Sequence, residues 1–274
     1  MKKTIFITGA SSGIGEATAN YFAEQGWNVA ATMRSVDVSK ENLKSPGILR
    51  YALDVHDTAS IQMAVEAAIK DFGEIDVLFN NAGYALAGPF EAFSPEEVQH
   101  QFNTNVFGIM NVTRAILPYF RNQRSGVILN TTSSGGIITF PLYSLYNSTK
   151  WAIEGFMESL QFELKAFNIR VKNIEPGTVK SEFTSNIDFK SHKAYDAYAQ
   201  KVQQNTLAGY KNAPTPDVVA KVVYKAANDE SYRLRYPGTP QAGFIFFMRR
   251  LLPFKWYNSM ITRSMEKEAK IGKQ

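Results

Sequence analysis

The chain has 274 residues, enough to bury a large core within one α/β domain. Hydrophobic residues make up 45% and charged residues 20%, an ordinary globular balance, and the absence of cysteine excludes disulfides, thiolate catalysis and Cys-based zinc sites. The net charge of +5 sits in the tail: Arg249, Arg250, Lys255, Arg263, Lys267, Lys270 and Lys273 face only Glu266 and Glu268, and the remainder is neutral, so the main body gives no argument for nucleic-acid binding.

Strand and helix signals alternate along the chain. Met1-Lys2-Lys3 and the following apolar residues resemble the start of a signal peptide. Gly9 to Gly13 break that run, so Thr4–Thr8 is expected as a first, buried strand. Ile14–Gln25 reads as a helix closed by Gly26, and Asn28–Met33 as the second strand. Gly47–Leu53 is the third strand, ending at Asp54. Thr58–Phe72 is an amphipathic helix stopped by Gly73, and Ile75–Phe79 is the fourth strand. Ser94-Pro95-Glu96-Glu97 is a helix start with Ser as cap, and that helix runs on with a break to Arg121. Gly126–Thr131 is the fifth strand, Tyr143–Phe167 a long helix, Ile169–Ile174 the sixth strand and Thr215–Asn228 a further helix. A short strand is expected near Arg233–Tyr236. Lys180–Lys211 shows no clean strand and reads as a mobile substrate loop at the carboxyl edge, where open α/β sheets bind ligands. The alternation predicts a Rossmann-type, doubly wound parallel sheet with helices on both faces. The expected organisation is one Rossmann-type domain over 1–243 and a basic, apolar extension over 244–274.

Two patterns carry chemistry. Gly9, Gly13 and Gly15 follow a strand and open a helix, so the turn lets backbone approach a pyrophosphate while the helix N-terminus offers free N–H groups. The end of the second strand selects the nucleotide: Met33-Arg34-Ser35 lacks the carboxylate that a NAD site wants for a ribose hydroxyl. Arg34 suits a 2′-phosphate and Ser35 can donate to it, which predicts NADP(H), while Asp37 nearby keeps NAD(H) open. The second pattern is Tyr146-Asn147-Ser148-Thr149-Lys150. Tyr and Lys four residues apart share a helix face, so an ammonium can raise the acidity of a phenol. His56, His100 and His192 are scattered without a second ligand at metal spacing, so no metal is expected. No run of about 18 apolar residues exists, so no membrane-spanning helix is expected.

These residues together resemble the short-chain dehydrogenase/reductase family over about residues 4–180. The glycine turn Thr8–Gly15, with Ser11, Ser12 and Ile14, matches the family's cofactor turn. Asp54-Val55 resembles its adenine-contacting pair, although Asp54 also suits the N-cap of the next helix. Asn80-Asn81-Ala82-Gly83 matches the motif that stabilises the sheet and lines the cofactor. Asn105 matches a residue whose role is structural, catalytic or both. Ser133, thirteen residues before Tyr146, matches the substrate-orienting Ser, with Ser134 as competitor. Pro176-Gly177-Thr178-Val179 resembles the nicotinamide-contacting segment, with Ser181 where a Thr is usual.

The resemblance implies hydride transfer between nicotinamide and a carbonyl or alcohol carbon. Tyr146 would be general acid or base, its pKa lowered by Lys150; Lys150 would also hold the nicotinamide ribose, and Asn105 a proton-relaying water. The stretch Tyr146–Leu160 resembles the branch with hydroxysteroid and retinol dehydrogenases, which implies a lipid-like substrate, a cytoplasmic carbonyl reductase and a homodimer or homotetramer. Phe140, Leu142, Tyr143, Tyr84, Leu86, Phe90, Phe183 and Phe189 border the motifs and suggest an apolar pocket, or a cover for the core. Tyr143 and Phe183 are the substrate contacts expected first, and His192 is expected to face solvent. The tail, with Phe244-Ile245-Phe246-Phe247, is expected to dock on the domain or a neighbouring subunit; a cleft cap or membrane-surface contact stays open. An epimerase or dehydratase is disfavoured by the short stretch after Gly177. A non-catalytic NADP(H) sensor on the same fold is the alternative, disfavoured because Ser133, Tyr146 and Lys150 are all present.

Overall fold

The computed structural model describes residues 2–36, 43, 45–185 and 187–266. The strands are β1 (Thr4–Ile7), β2 (Asn28–Met33), β3 (Ile48–Ala52), β4 (Val77–Asn80), β5 (Leu86–Ala87), β6 (Gly126–Thr131), β7 (Ile169–Glu175), β8 (Asp188–Phe189) and β9 (Arg235–Pro237). The α-helices are α1 (Gly13–Glu24), α2 (Thr58–Phe72), α3 (Pro95–Phe102), α4 (Gly108–Gln123), α5 (Ser144–Leu164), α6 (Glu182–Ser185), α7 (Asp196–Lys211), α8 (Pro216–Asn228), α9 (Pro240–Leu251) and α10 (Phe254–Glu266).

Seven strands form one sheet in the order β3-β2-β1-β4-β6-β7-β9, every pair parallel. The order reverses at β1, where the chain leaves for β4, and this switch places a crevice at the carboxyl ends of β1 and β4. Alternate side chains of each strand serve opposite faces. Ile5 and Ile7 pack with Phe22 of α1 and Val219 and Val223 of α8. Phe6 and Leu78 pack on the other face with Ile61 of α2, Ile116 of α4 and Ile153 of α5. Strands covered on both faces read as unbroken apolar runs, as Thr4–Ile7 and Val77–Asn80 do.

Local signals account for most boundaries. Gly26 (φ +82°) and Gly73 (φ +89°) take the left-handed turn that ends α1 and α2. Ser94 accepts from the Glu97 N–H, and Glu97 returns a bond to the Ser94 N–H, so both members of the capping box start α3. The helix expected to reach Arg121 comes in three pieces: α3, a π-helical turn at Asn103–Phe107, and α4. Its expected break is this wider turn, which turns Asn105 inward. On α5, Met157, Leu160 and Leu164 are core, and Phe162 is 74% exposed.

Two expectations are corrected. The N-cap of α2 is Asp57, which accepts from the Ala59 N–H at 2.9 Å; Asp54 lies one turn earlier and accepts from the His56 N–H. The 180–211 segment is no loop. It holds α6, β8 paired with β5, and the 16-residue α7. The sequence of α7 is polar and buries only Ala199 and Val202 fully, so its apolar periodicity is faint; packing against α10 holds it. The tail forms α9 and α10, docked through Ala242 and Tyr257. Asp37 lies outside the described residues, as do Lys267, Lys270 and Lys273.

Candidate active site

The glycine turn joins β1 to α1 with its geometry dictated by crowding. Gly9 has φ +65°, and a Cβ there would stand 2.9 Å from Ala82 Cα. A Cβ at Gly15 would strike the Gly9 carbonyl oxygen. Gly13 has φ +58°, and its missing Cβ would point toward Ser181 at 3.5 Å. The start of α1 therefore faces the segment after β7, and it is the positive φ at Gly13, more than space, that favours glycine there. Ser12 caps α1 without using its side chain, so its hydroxyl and the first N–H groups remain available to an anion. These features fit a dinucleotide's phosphates. Ser11 is half-buried beside them, and Ile14 packs into the core.

Asn81 fastens this turn to the sheet. Its amide donates to the Thr8 and Gly9 carbonyls at 3.2 and 3.0 Å and accepts from Thr131 Oγ1 at 3.1 Å. The Thr8 hydroxyl accepts from the N–H groups of Asn81 and Ala82. Arg34 and Ser35 leave the end of β2 exposed, next to the turn, since Ala10 N–H donates to the Thr32 carbonyl. Val55 buries its side chain in the core against Gly108.

The second cluster forms where α5 crosses the ends of β4 and β6. The Ser133 hydroxyl lies close enough to the Tyr146 phenol to hold its pKa down, and Ser133 accepts from the Gly135 N–H at 3.0 Å. Ser134, the competing candidate, is buried, and its N–H donates to the Pro176 carbonyl, which ties this loop to the end of β7. Lys150 Nζ lies 5.6 Å from the Tyr146 ring centroid and donates to the Thr131 carbonyl at 2.8 Å. Gly83 leaves room for both Asn105 Oδ1 and Lys150 Nζ, at 3.1 and 3.9 Å from the position its Cβ would take. Asn105, wholly buried, donates to the Tyr84 carbonyl and Thr149 and accepts from the Tyr84 N–H, so it clamps the chain after β4.

The electrostatics differ from the sequence expectation. Burial pushes the Tyr146 phenol up to about 12, opposed by the nearby Ser133 hydroxyl. A phenol lowered by Lys150 is not what the protein by itself produces: Lys150 is desolvated too, and its ammonium falls to about 8, with the Glu154 carboxylate opposing.

The substrate side is partly as expected. Tyr143 sits 6.4 Å from Tyr146 by ring centroids and Phe183 6.1 Å, so both face the phenol. Leu86 instead joins a small core with Phe93 and Leu145, and Tyr84 packs beside it. Phe90 is mostly exposed, Leu142 (φ +63°) bonds the loop at Gly88, and His192 caps a short 3₁₀ turn through Ala194 N–H. Two residues were missed. Tyr210 and Thr206 of α7 stand close enough to the Tyr143 hydroxyl to influence its titration. Their i, i+4 spacing is a weak signal that becomes meaningful only once α7 is placed.

A family model described as short chain dehydrogenase matches residues 3–192. An uncharacterized oxidoreductase of Schizosaccharomyces pombe is 44% identical over 206 residues, which is 75% of this chain and 87% of that protein. The 3-ketodihydrosphingosine reductase of Bacteroides thetaiotaomicron is 42% identical over 182 residues, 66% of each chain. A crystallised short-chain dehydrogenase of Streptomyces avermitilis superposes with a TM-score of 0.79 at 30% identity, over 95% of this chain and 97% of that one. The chain belongs to the short chain dehydrogenase family and is an oxidoreductase of that family.

Proposed function

We propose that this enzyme transfers hydride between NADP(H) and a bulky apolar carbonyl or secondary alcohol, with Tyr146 as the proton donor or acceptor. The observation that carries the reading is the buried Tyr146 phenol, set beside Ser133 and with Lys150 Nζ 5.6 Å from its ring centroid. It lies on the same sheet edge as the glycine turn.

The bound nicotinamide supplies or receives the hydride. Gly9, Gly13 and Gly15 admit the phosphates, and Ser181, opposite Gly13, closes over them. Arg34, exposed beside the turn and followed by Ser35 where a NAD site wants a carboxylate, pairs with a 2′-phosphate, which favours NADP(H). Asn81, Ala82 and Gly83 line the middle of the cofactor, and Pro176, Gly177 and Val179 its nicotinamide end. In reduction, Ser133 donates to the substrate oxygen and holds it at the phenol. Tyr146 then gives its proton to that oxygen as the C–H bond forms. The phenolate left behind is stabilised by the neighbouring Lys150 ammonium, and this interaction grows only as charge develops. Proton resupply through Lys150 and Asn105 completes the cycle.

An apolar substrate follows from Tyr143, Phe183 and Tyr210 around the phenol. The name of the Bacteroides relative, a reductase of a long-chain ketone, supports the same class.

Oxidation of NADPH and NADH, followed by absorbance, tests the reading against ketones from small aliphatics to long-chain 3-ketones and steroids. Turnover is expected with NADPH on the bulky apolar members. Tyr146→Phe should lose roughly 10²–10⁴-fold of it while still binding NADPH. Arg34→Ala should weaken NADPH far more than NADH; equal effects would sink the NADP assignment. Tight NADPH binding with no turnover on any ketone would favour a sensing role.

A further inference from the structure

The C-terminal helices present a surface that the oxidoreductase site does not use. On α9, Phe244, Phe247 and Leu251 are spaced three and four residues apart and share one helix face. They are 62%, 59% and 60% exposed. The stripe continues across the Leu252-Pro253 corner into Phe254 and Trp256 at the start of α10, 63% and 67% exposed. The opposite side is what docks: Ala242 and Tyr257 are buried against the body. Five large apolar side chains on one ridge are far from the scattered exposure that a folded surface ordinarily shows.

The charge around the stripe says what covers it. Arg250 and Lys255 are exposed between the apolar residues, and Arg263 follows one helical stretch later. Arg249 lies over the rings of Phe254 and Tyr257, 5.2 and 5.4 Å from their centroids, and steadies the corner. No acidic residue occurs between Glu230 and Glu266, whereas the chain outside residues 249–274 is electrically balanced. A second copy of the chain seated on this ridge in a two-fold arrangement would bring the same cations face to face. An anionic bilayer meets both halves of the surface: Phe and Trp enter the headgroup boundary while Arg and Lys pair with lipid phosphates.

We propose that the α9–α10 ridge is a membrane-surface docking site that binds anionic phospholipid through Phe244, Phe247, Leu251, Phe254 and Trp256 and their flanking cations. The helices lie on the surface and do not cross it, since none of the described helices is long and apolar enough to span. The ridge is also joined to the substrate side, because α10 packs on α7, whose Tyr210 and Thr206 reach Tyr143. A lipid-like ketone would thus enter from the surface on which the enzyme rests; that extension rests on the proposed substrate class, and the docking itself does not.

The test is vesicle flotation of the full chain, which reads binding alone and is independent of any turnover. Wild type is expected to float with phosphatidylcholine vesicles containing about one quarter phosphatidylglycerol, and to float poorly with pure phosphatidylcholine or at about 0.5 M salt. Each cation near an anionic surface is worth about fivefold, so Arg250→Glu with Lys255→Glu should weaken binding by roughly 25-fold or more. Phe247→Ser with Leu251→Ser should abolish it. Both pairs are solvent-exposed, so thermal unfolding checks that they fold as wild type does. Wild type that stays with the unbound fraction overturns the proposal, as do variants that bind like wild type. A wild-type oligomer that the serine pair dissociates, with no vesicle binding, would assign the ridge to a second copy.

Discussion

Glu175→Gln should make the protein more stable at pH 8 and leave it little changed at pH 5. Glu175 ends β7 and is wholly buried, and neither of its carboxyl oxygens has a hydrogen-bond partner. Burial first and the neighbouring Glu154 charge second push its carboxyl up to about 9, against the pull of Arg235 and Arg233. Arg235 cannot satisfy it: its Nε is 3.5 Å from Glu175 but 3.1 Å from Glu154, and its Nη2 is 2.6 Å from Glu158. The sign follows from proton binding. Below the ordinary glutamate value of 4.5 both states carry the proton and the site contributes fully. Above it the unfolded chain ionises while the native state holds its proton until about 9, so stability is lost across that window. At about 1.4 kcal/mol per pH unit, the rise from pH 5 to 8 removes up to about 4 kcal/mol. Glutamine ionises in neither state and abolishes this slope. Urea unfolding of both proteins at four pH values between 5 and 8 measures it, and in melting temperature the gap at pH 8 should be on the order of 10 °C. Parallel profiles would refute the reasoning, because they would mean that Glu175 is ionised in the native protein and held by Arg235.

Three other changes test the site. Asn81→Ala removes two donated bonds and one accepted bond between the glycine turn and β6, and should cost roughly 2–4 kcal/mol in urea unfolding while weakening nucleotide binding; an unchanged dissociation constant would show that the turn holds itself. Lys150 is charged below about 8 and loses its proton above, so kcat/KM for carbonyl reduction should fall on the alkaline side. Because the Glu154 carboxylate favours the ammonium, Glu154→Gln should move that limb to lower pH, and an unmoved limb would separate Lys150 from the titration. Tyr210→Phe removes a hydroxyl that stands beside Tyr143 and should raise KM for bulky ketones with kcat nearly intact; equal loss of both would place Tyr210 in the chemistry.

The cofactor half of the site was legible because its signals are local. A strand, a glycine turn and a helix start follow each other within Thr4–Glu24; Gly9 and Gly15 each answer a close approach of backbone, and Gly13 a positive φ. Tyr146 and Lys150 share one helix, so their spacing already fixed their neighbourhood. The capping box at Ser94 was readable for the same reason. The substrate half was not. β5 pairs with β8 across a hundred residues through two residues each, and no periodicity announces so short a strand. The helix α7 owes its place to α10 and shows few apolar positions of its own. The choice of Asp57 over Asp54 as cap depends on where the chain turns after β3, and both residues suit the role chemically. The raised phenol of Tyr146 reflects burial, which the Tyr-Lys spacing alone does not carry.

The register of the central strands supplies what the motifs leave out. Asn80, Asn130 and Asn173 stand side by side on β4, β6 and β7. Asn80 donates to Asn130 at 3.0 Å, Asn130 to Asn173 at 3.2 Å, and Asn173 to Glu154 on α5 at 2.9 Å. Glu154 sits one turn beyond Lys150 and bonds Arg235 on β9. Such a row is expensive inside a core unless its members pair, and Asn80 Oδ1 and Glu154 Oε1 remain unpartnered even so. A slip of one residue between β4 and β6 would break every bond in it, because neighbouring side chains would turn to opposite faces. The row therefore specifies strand register and, through Glu154, the height of the catalytic helix over the sheet. Beside this frame stand α6 and α7, with Phe183 of α6 next to Tyr146 and Tyr210 of α7 next to Tyr143. On the proposed function, the proton chemistry would stay with this frame while the helices above it would set which ketone enters.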